Sequence, residues 1–262
     1  MTLWKHEMKI NLKSLLIWSI CVGASCFGCL LLFKGLESTM DEMAGAYADM
    51  GSFSVALGLD KVAINTVEGF YATEVALIFA IGGAMFAAMC GAGILAKEEE
   101  GHTSEFLSTL PMGRINIVGA KYAAFAVLVF LFQVICIGWI LVGFAGAGDF
   151  PPAKEFMMYH GLQFVMQLEI GSVCFLISAC CKKRQTGAAL GLALLLYMVD
   201  LMCRILPDIK NLKYITPFYY SNASDIFTDP NPEPVMIGIG MAVTLACAVI
   251  SGIVYSKRDL AA

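Results

Sequence analysis

Two groups of polar side chains stand out in a largely apolar chain of 262 residues. The first is Lys97-Glu98-Glu99-Glu100, which opens the charged stretch KEEEGHTSEFLSTLPMGR, Lys97–Arg114. Adjacent carboxylates can serve as acid and base, but an intramembrane glutamate protease also needs histidines within the membrane. His160 is the only candidate near a helix and it stands alone. The other histidines, His6 and His102, have no second histidine four residues on, so an H-E-x-x-H zinc site is absent. The second group is Gln163, Gln167 and Glu169, in the middle of an apolar run. A carboxylate at that depth costs roughly 2.5–3.5 kcal/mol to insert, so Glu169 must face protein or water, or hold a proton. It stands either on a substrate or ion path or in a hydrogen-bonded structural role. Cys26 and Cys29 form a CxxC inside an apolar run, where small packing residues are the plain reading. No G-x-x-x-x-G-K-[ST] occurs, so the chain has no loop of that kind to cradle a nucleotide phosphate.

The elements that position these groups follow from composition. Apolar residues make up 59% of the chain and charged residues 15%, with a mean hydropathy of +0.76. Soluble domains carry about 25% charged residues, so lipid is the solvent for most of this chain. Six runs are long enough for the ~20 residues a helix needs to cross the hydrocarbon core. They predict helices over 15–36, 70–96, 117–147, 156–181, 186–206 and 234–255, with 97–116 as a polar segment between the second and third. Lipid admits only helices or closed barrels, and these runs lack the strict alternation of a barrel strand. The expected fold is all-α: a polytopic membrane protein, 1–262 as a single transmembrane domain. It has six transmembrane helices and an N-terminal amphipathic interfacial helix over 1–14. That helix is read from Lys5, Lys9 and Lys13 on one stripe and Trp4, Met8 and Leu12 on its neighbour.

Basic residues set the expected orientation. Lys5, Lys9, Lys13, Lys97, Arg114, Lys121, Lys182, Lys183, Arg184, Lys257 and Arg258 fall on one side, mostly beside helix ends. Lys34, Lys61, Lys154, Arg204, Lys210 and Lys213 fall on the other. The first side is expected to be cytoplasmic, with both termini and 97–116 inside and the protein multi-pass in the plasma membrane. Within 97–116, Thr103 or Ser104 can cap a short helix whose Phe106, Leu107 and Leu110 share a face, ended by Pro111 and Gly113. Gly83, Ala87 and Gly91 in the second helix, and Gly187 and Gly191 in the fifth, are faces that permit close helix approach. Asp200 and Arg204 are spaced for a local ion pair. The outer segment 37–69 reads as a helical connection or a lid. The outer segment 207–233, with Tyr214, Phe218, Tyr219 and Tyr220, reads as interfacial, re-entrant or surface-lying.

The stretch Glu98–Arg114 resembles, without a gap, the pattern E-E-x-x-G-T-x-E-x-L-x-x-x-P-x-x-R between helices two and three of ABC-2 type exporter permeases. One position departs: His102 stands where the pattern has glycine, and Gly101 lies one residue early. Two geometries stay open here, a helix starting after Gly101 or helix two running on through the glutamates. The resemblance implies that 97–116 is a cytoplasmic coupling segment docking on a separate ABC ATPase. Its contact set would be Glu98, Glu99, Glu100, Gly101, Thr103, Glu105, Phe106 and Leu107. It further implies two ATPase copies, and a second permease copy as homodimer or related chain. ATP and Mg would bind on the ATPase, leaving this chain without catalytic residues, metal or cofactor. The bilayer is its other partner, and no nucleic acid is expected. The aliphatic and small helices favour an amphipathic or hydrophobic substrate, best a peptide toxin or antimicrobial peptide. The chain is similar in this to the phenol-soluble modulin exporters. Export of a drug, lipid or ion is the alternative within the class. A channel or secondary transporter independent of ATP and using Glu169 is the alternative outside it, opposed by the lack of visible inverted repeats.

Overall fold

The computed structural model describes residues 2–36, 39–48, 50–103 and 112–258. Helices α1 (Thr2–Leu36), α4 (Val67–Ile94), α6 (Arg114–Ala147), α7 (Ala153–Cys180), α8 (Thr186–Ile205) and α10 (Pro234–Lys257) are each long and apolar enough to cross a membrane. Between them lie α2 (Met40–Ala48), α3 (Ser52–Leu57), the single turn α5 (Lys97–Glu100), a 3-10 helix (Pro207–Tyr214) and α9 (Ala223–Thr228). The described residues contain no strand.

The spans expected over 15–36, 70–96, 117–147, 156–181, 186–206 and 234–255 lie beside helices Thr2–Leu36, Val67–Ile94, Arg114–Ala147, Ala153–Cys180, Thr186–Ile205 and Pro234–Lys257. The segment read as an interfacial helix over 1–14 is helical, but from Thr2 it runs without a break into the first span. At about 1.5 Å per residue α1 is about 52 Å long, well beyond the ~30 Å hydrocarbon core. A reason for the straight extension is that its buried face is used. Leu3 packs on Ile117, and Glu7 is fully enclosed.

α4 and α7 form the centre and are the most buried spans. α1 packs on α6, α8 on α4, and α10 on α7 and α6. The α4–α7 crossing is close because the residues there are small. A Cβ on Gly91 would overlap the Gly171 carbonyl, and one on Gly171 would overlap the Phe125 ring. In the far half, Tyr71 is ringed by Phe144, Phe156, Tyr159 and Phe227. It reaches that position from a π turn, Tyr71–Val75, near the start of α4, after a Thr66 cap on the Gly69 N–H. Carbonyls near the end of that wide turn take side-chain donors. The Tyr159 hydroxyl donates to Ala76 O at 2.8 Å and the Cys26 thiol to Val75 O at 3.8 Å.

The segment 207–233 starts at the surface, with no buried residue over Pro207–Tyr214, and then folds back into the bundle. Phe218, Tyr220, Ser221, Ala223, Ile226 and Phe227 are buried in the far half of the bundle. Its depth is fixed by Thr216, whose hydroxyl donates to Leu196 O, midway along α8, at 2.8 Å. In 37–69, α3 packs against α8, and Lys61 pairs with Asp225 of α9.

Candidate functional site

The end of the bundle that carries both termini holds a network of charges organised by α5. α4 stops at Ile94, where the Leu95 and Ala96 N–H groups donate to Ser178 Oγ of α7 at 3.1 and 3.0 Å. α5 then makes one turn and closes by backbone bonds. Gly101 N–H donates to Lys97 O (2.9 Å), His102 N–H to Glu99 O (3.2 Å) and Thr103 N–H to Glu98 O (2.8 Å). The last two bonds are the crossed pair of a Schellman ending, which needs a left-handed residue at the first position beyond the cap. That residue is His102, with φ +53°, while Gly101 has φ −89°. The imidazole therefore occupies the backbone conformation that favours glycine, the residue the resembling pattern has there. Of the two geometries left open by the sequence, the run-on of helix two through the glutamates does not hold, and a helix starting after Gly101 lies outside the described residues. The second span breaks at Leu95–Ala96, and the glutamates form their own turn.

Each glutamate of that turn ties to a different part of the bundle. Glu98 pairs with Lys121 of α6. Lys121 also donates to Glu7 Oε1 of α1 at 2.9 Å and to Ile94 O at 2.8 Å. The other Glu7 oxygen accepts from Lys97. Glu7 and Lys121 have fully buried side chains. Glu99, also buried, accepts from Arg258 at 2.6 Å. Arg258 in turn donates to Ala179 O (2.7 Å) and Cys181 O (3.0 Å) at the end of α7. Arg114, at the start of α6, donates to Ser256 O (3.2 Å) and Arg258 O (2.7 Å). Glu100 is exposed and pairs with Arg184, in the α7–α8 turn, at 3.1 Å. The four groups Glu7, Lys97, Glu98 and Lys121 balance, two of each sign. Burial pushes the Lys97 ammonium below its usual range, the Lys121 charge adds to this, and Glu7 opposes it.

Among the residues expected to meet an ATPase, the structure turns Glu98 and Glu99 inward and leaves Glu100, Gly101 and Thr103 at the surface. Glu105, Phe106 and Leu107 lie outside the described residues. Sequence reasoning missed Glu7, Lys121 and Arg258 as members of the network. Two signals were present: Glu7 is the one acid among the lysines of 2–13, and Lys121 lies inside an apolar run.

Gln163, Gln167 and Glu169 are all buried but do not converge. At about 100° per residue, Gln163 and Gln167 share a face of α7 while Glu169 points the other way. Glu169 Oε2 accepts from the Tyr220 hydroxyl at 2.9 Å, and this space exists because residue 240 of α10 is glycine. On its other side Tyr220 lines an open cavity of about 370 Å³ at the far end, with Lys61, Tyr219, Asp229 and Glu233. The Gln163 amide donates to Ser221 O at 2.9 Å. Its oxygen and Asp200 Oδ1 have no partner among the described residues, and both residues line a cavity of about 40 Å³, room for a water or two. Gln167 lies against Gly83 with both amide atoms unpartnered among the described residues. The expected Asp200–Arg204 pair is present at 3.0 Å and is extended. Arg204 also reaches Asp225 at 2.8 Å and lies over the Tyr219 ring at 4.7 Å.

The family model described as ABC-2 family transporter protein matches residues 1–260. A search of curated proteins finds no match. Six spanning helices, with a charged turn after the second that gathers the ends of the others, fit that match across its length, and the chain belongs to the ABC-2 family of transporter proteins.

Proposed function

We propose that this membrane transport subunit is the permease of an ATP-driven exporter, moving an amphipathic or hydrophobic substrate, best a peptide toxin or antimicrobial peptide, out of the cell. Hydrolysis of ATP with Mg belongs to a separate ATPase, and the functional unit has two ATPases and two permeases. The end of the bundle with both termini is the cytoplasmic one. The ATPase contacts Glu100 and Thr103, which are exposed, together with Glu105, Phe106 and Leu107, which the resembling sequence pattern adds.

The observation that carries this reading is the tie from each of Glu98, Glu99 and Glu100 to a different element. Removing one member of a buried pair leaves an uncompensated charge, at a cost of about 3–5 kcal/mol. A push on 97–114 is therefore met by the ends of α1, α6, α7 and α10 moving together, because separating them is expensive. At the far end, Tyr220 stands between Glu169 and the open cavity. Movement of the re-entrant segment would part Tyr220 from Glu169 and join the bundle interior to the outside. The faces of Gly187 and Gly191, with no neighbour within 4 Å, suit a second permease copy.

The test is co-expression with a phosphate-loop ATPase encoded beside this chain, followed by co-purification and a screen for peptides that stimulate hydrolysis. Replacing Glu105 and Phe106 together is expected to weaken ATPase binding. Unchanged co-purification would overturn the docking surface. Glu169→Gln and Glu169→Leu are expected to lower export, and full export in both would remove Glu169 from the path. Substrate movement that persists without any ATPase would favour the channel or secondary transporter.

A further inference from the structure

The N-terminal third of α1 presents a face that the bundle does not use. Lys5, Lys9 and Lys13 recur every four residues and are all exposed. At about 100° per residue they fall within about 40° of one line, and Glu7 lies on the opposite side of the helix. Glu7 is the one carboxylate in residues 2–13, and it is consumed inside the bundle by Lys97 and Lys121. Among the described residues none of the three lysines pairs with a carboxylate. The outward face thus holds three positive charges and, among the described residues, no paired counter-charge.

What lies below the lysines on the same face decides the partner. Leu16, Ile20 and Leu31 continue their line and are exposed by 45%, 52% and 41%. In a protein that spans the bilayer these side chains meet acyl chains. Because α1 is one unbroken helix, the same face that meets acyl chains over 16–31 carries the lysines over 5–13, beginning one turn further out. The rise from Lys13 to Lys5 is about 12 Å, and the headgroup layer begins where the acyl chains end. A protein partner would have to occupy the lipid's position there. We infer that the Lys5–Lys9–Lys13 face of α1 is a binding site for anionic phospholipid headgroups in the leaflet that holds both chain ends. The lysines take the phosphates, and Leu16 and Ile20 take the upper acyl chain.

The purified permease, reconstituted in mixed phosphatidylcholine and phosphatidylglycerol vesicles and released in mild detergent, is probed by mass spectrometry of the retained lipids. The wild type is expected to retain phosphatidylglycerol over phosphatidylcholine. The preference is expected to fall by about fivefold per lysine removed in K5Q, K9Q and K13Q, and to disappear in the triple variant. Glutamine keeps helix propensity, so the triple variant is expected to remain folded. At ~1 M salt, where screening acts over about 3 Å, the wild-type preference is expected to collapse. Three results would overturn the site. These are no preference in the wild type, a full preference in the triple variant, or an equal loss in a K182Q/K183Q control that removes charge elsewhere. A triple variant that keeps its lipid but loses a co-purifying ATPase would also overturn it and assign the face to protein docking.

Discussion

Lys121→Met isolates the central tie of the network. Its side chain is fully buried, and its ammonium serves Glu7, Glu98 and the Ile94 carbonyl. Methionine fills a similar volume and removes the charge. Glu7 and Glu98 then share Lys97 alone, and one negative charge is left buried without compensation. The expected cost is about 3–5 kcal/mol. At about 2–4 °C per kcal/mol for a chain of this size, the midpoint of thermal unfolding in detergent falls by roughly 6–20 °C. Glu7→Gln has the opposite imbalance, leaving Lys97 and Lys121 against Glu98, with a similar cost of about 3–5 kcal/mol. The double variant returns the site to one charge of each sign, Lys97 and Glu98. It should therefore lose less than the sum of the singles, by about 0.5–3 kcal/mol. If the two losses add to within about 0.5 kcal/mol, Glu7 and Lys121 do not act through each other and the network is refuted. On the proposed function, Lys121→Met in the presence of an ATPase is expected to leave hydrolysis in place while export falls.

Three further outcomes follow from the geometry. His102→Gly is expected to be neutral or to stabilise by up to about 1 kcal/mol, and His102→Val to destabilise, because φ is +53° there; thermal unfolding of the two variants checks this. For Asp225, burial raises the carboxyl pKa, but Arg204 and Lys61 outweigh it and hold it below 3.8. Its contribution is present above that value and lost as pH falls through the lowered one, so Asp225→Asn should cost about 1–3 kcal/mol at neutral pH and converge on the wild type in acid. Gly91→Val is expected to disrupt the α4–α7 crossing, measured as lost thermal stability, whereas Gly187→Val, with open space around it, should leave the monomer's stability unchanged.

The six spans were legible because lipid imposes one rule on every residue of a run, and length with hydropathy tests that rule directly. Their packing was partly legible. Gly83 and Gly91 marked the α4 face that meets α7, and the same signal in Gly187 and Gly191 marked a face with no neighbour within 4 Å among the described residues. Spacing alone cannot separate those two uses, because a small residue permits close approach without specifying the partner. The depth of 207–233 was hidden for a related reason. Tyr220 is as amphipathic as any interfacial tyrosine, and only its bond to Glu169 shows that its hydroxyl is satisfied inside.

The charges near the terminal end were the hardest to read, and the reason is physical. A lysine beside a span fits equally well as a topology flank in water and as one side of a buried pair. Lys97 and Lys9 look alike in sequence, yet Lys97 is held by Glu7 and Lys9 faces outward. What separates them is the count of carboxylates within reach. Only Glu7 lies near the N-terminal end of the first span, and Glu98 and Glu99 follow the second, each able to neutralise one cation. Lys97, Lys121 and Arg258 take those three partners. Lys5, Lys9 and Lys13, on the opposite face from Glu7, are left for the membrane. The same acid that ties α1 to the turn Lys97–Glu100 thus leaves the outer face of α1 with three lysines and, among the described residues, no paired carboxylate. Glu7→Gln should therefore loosen the bundle and leave the phosphatidylglycerol preference intact. Loss of both together would mean that the lysine face depends on the packing of α1, rather than on its charge.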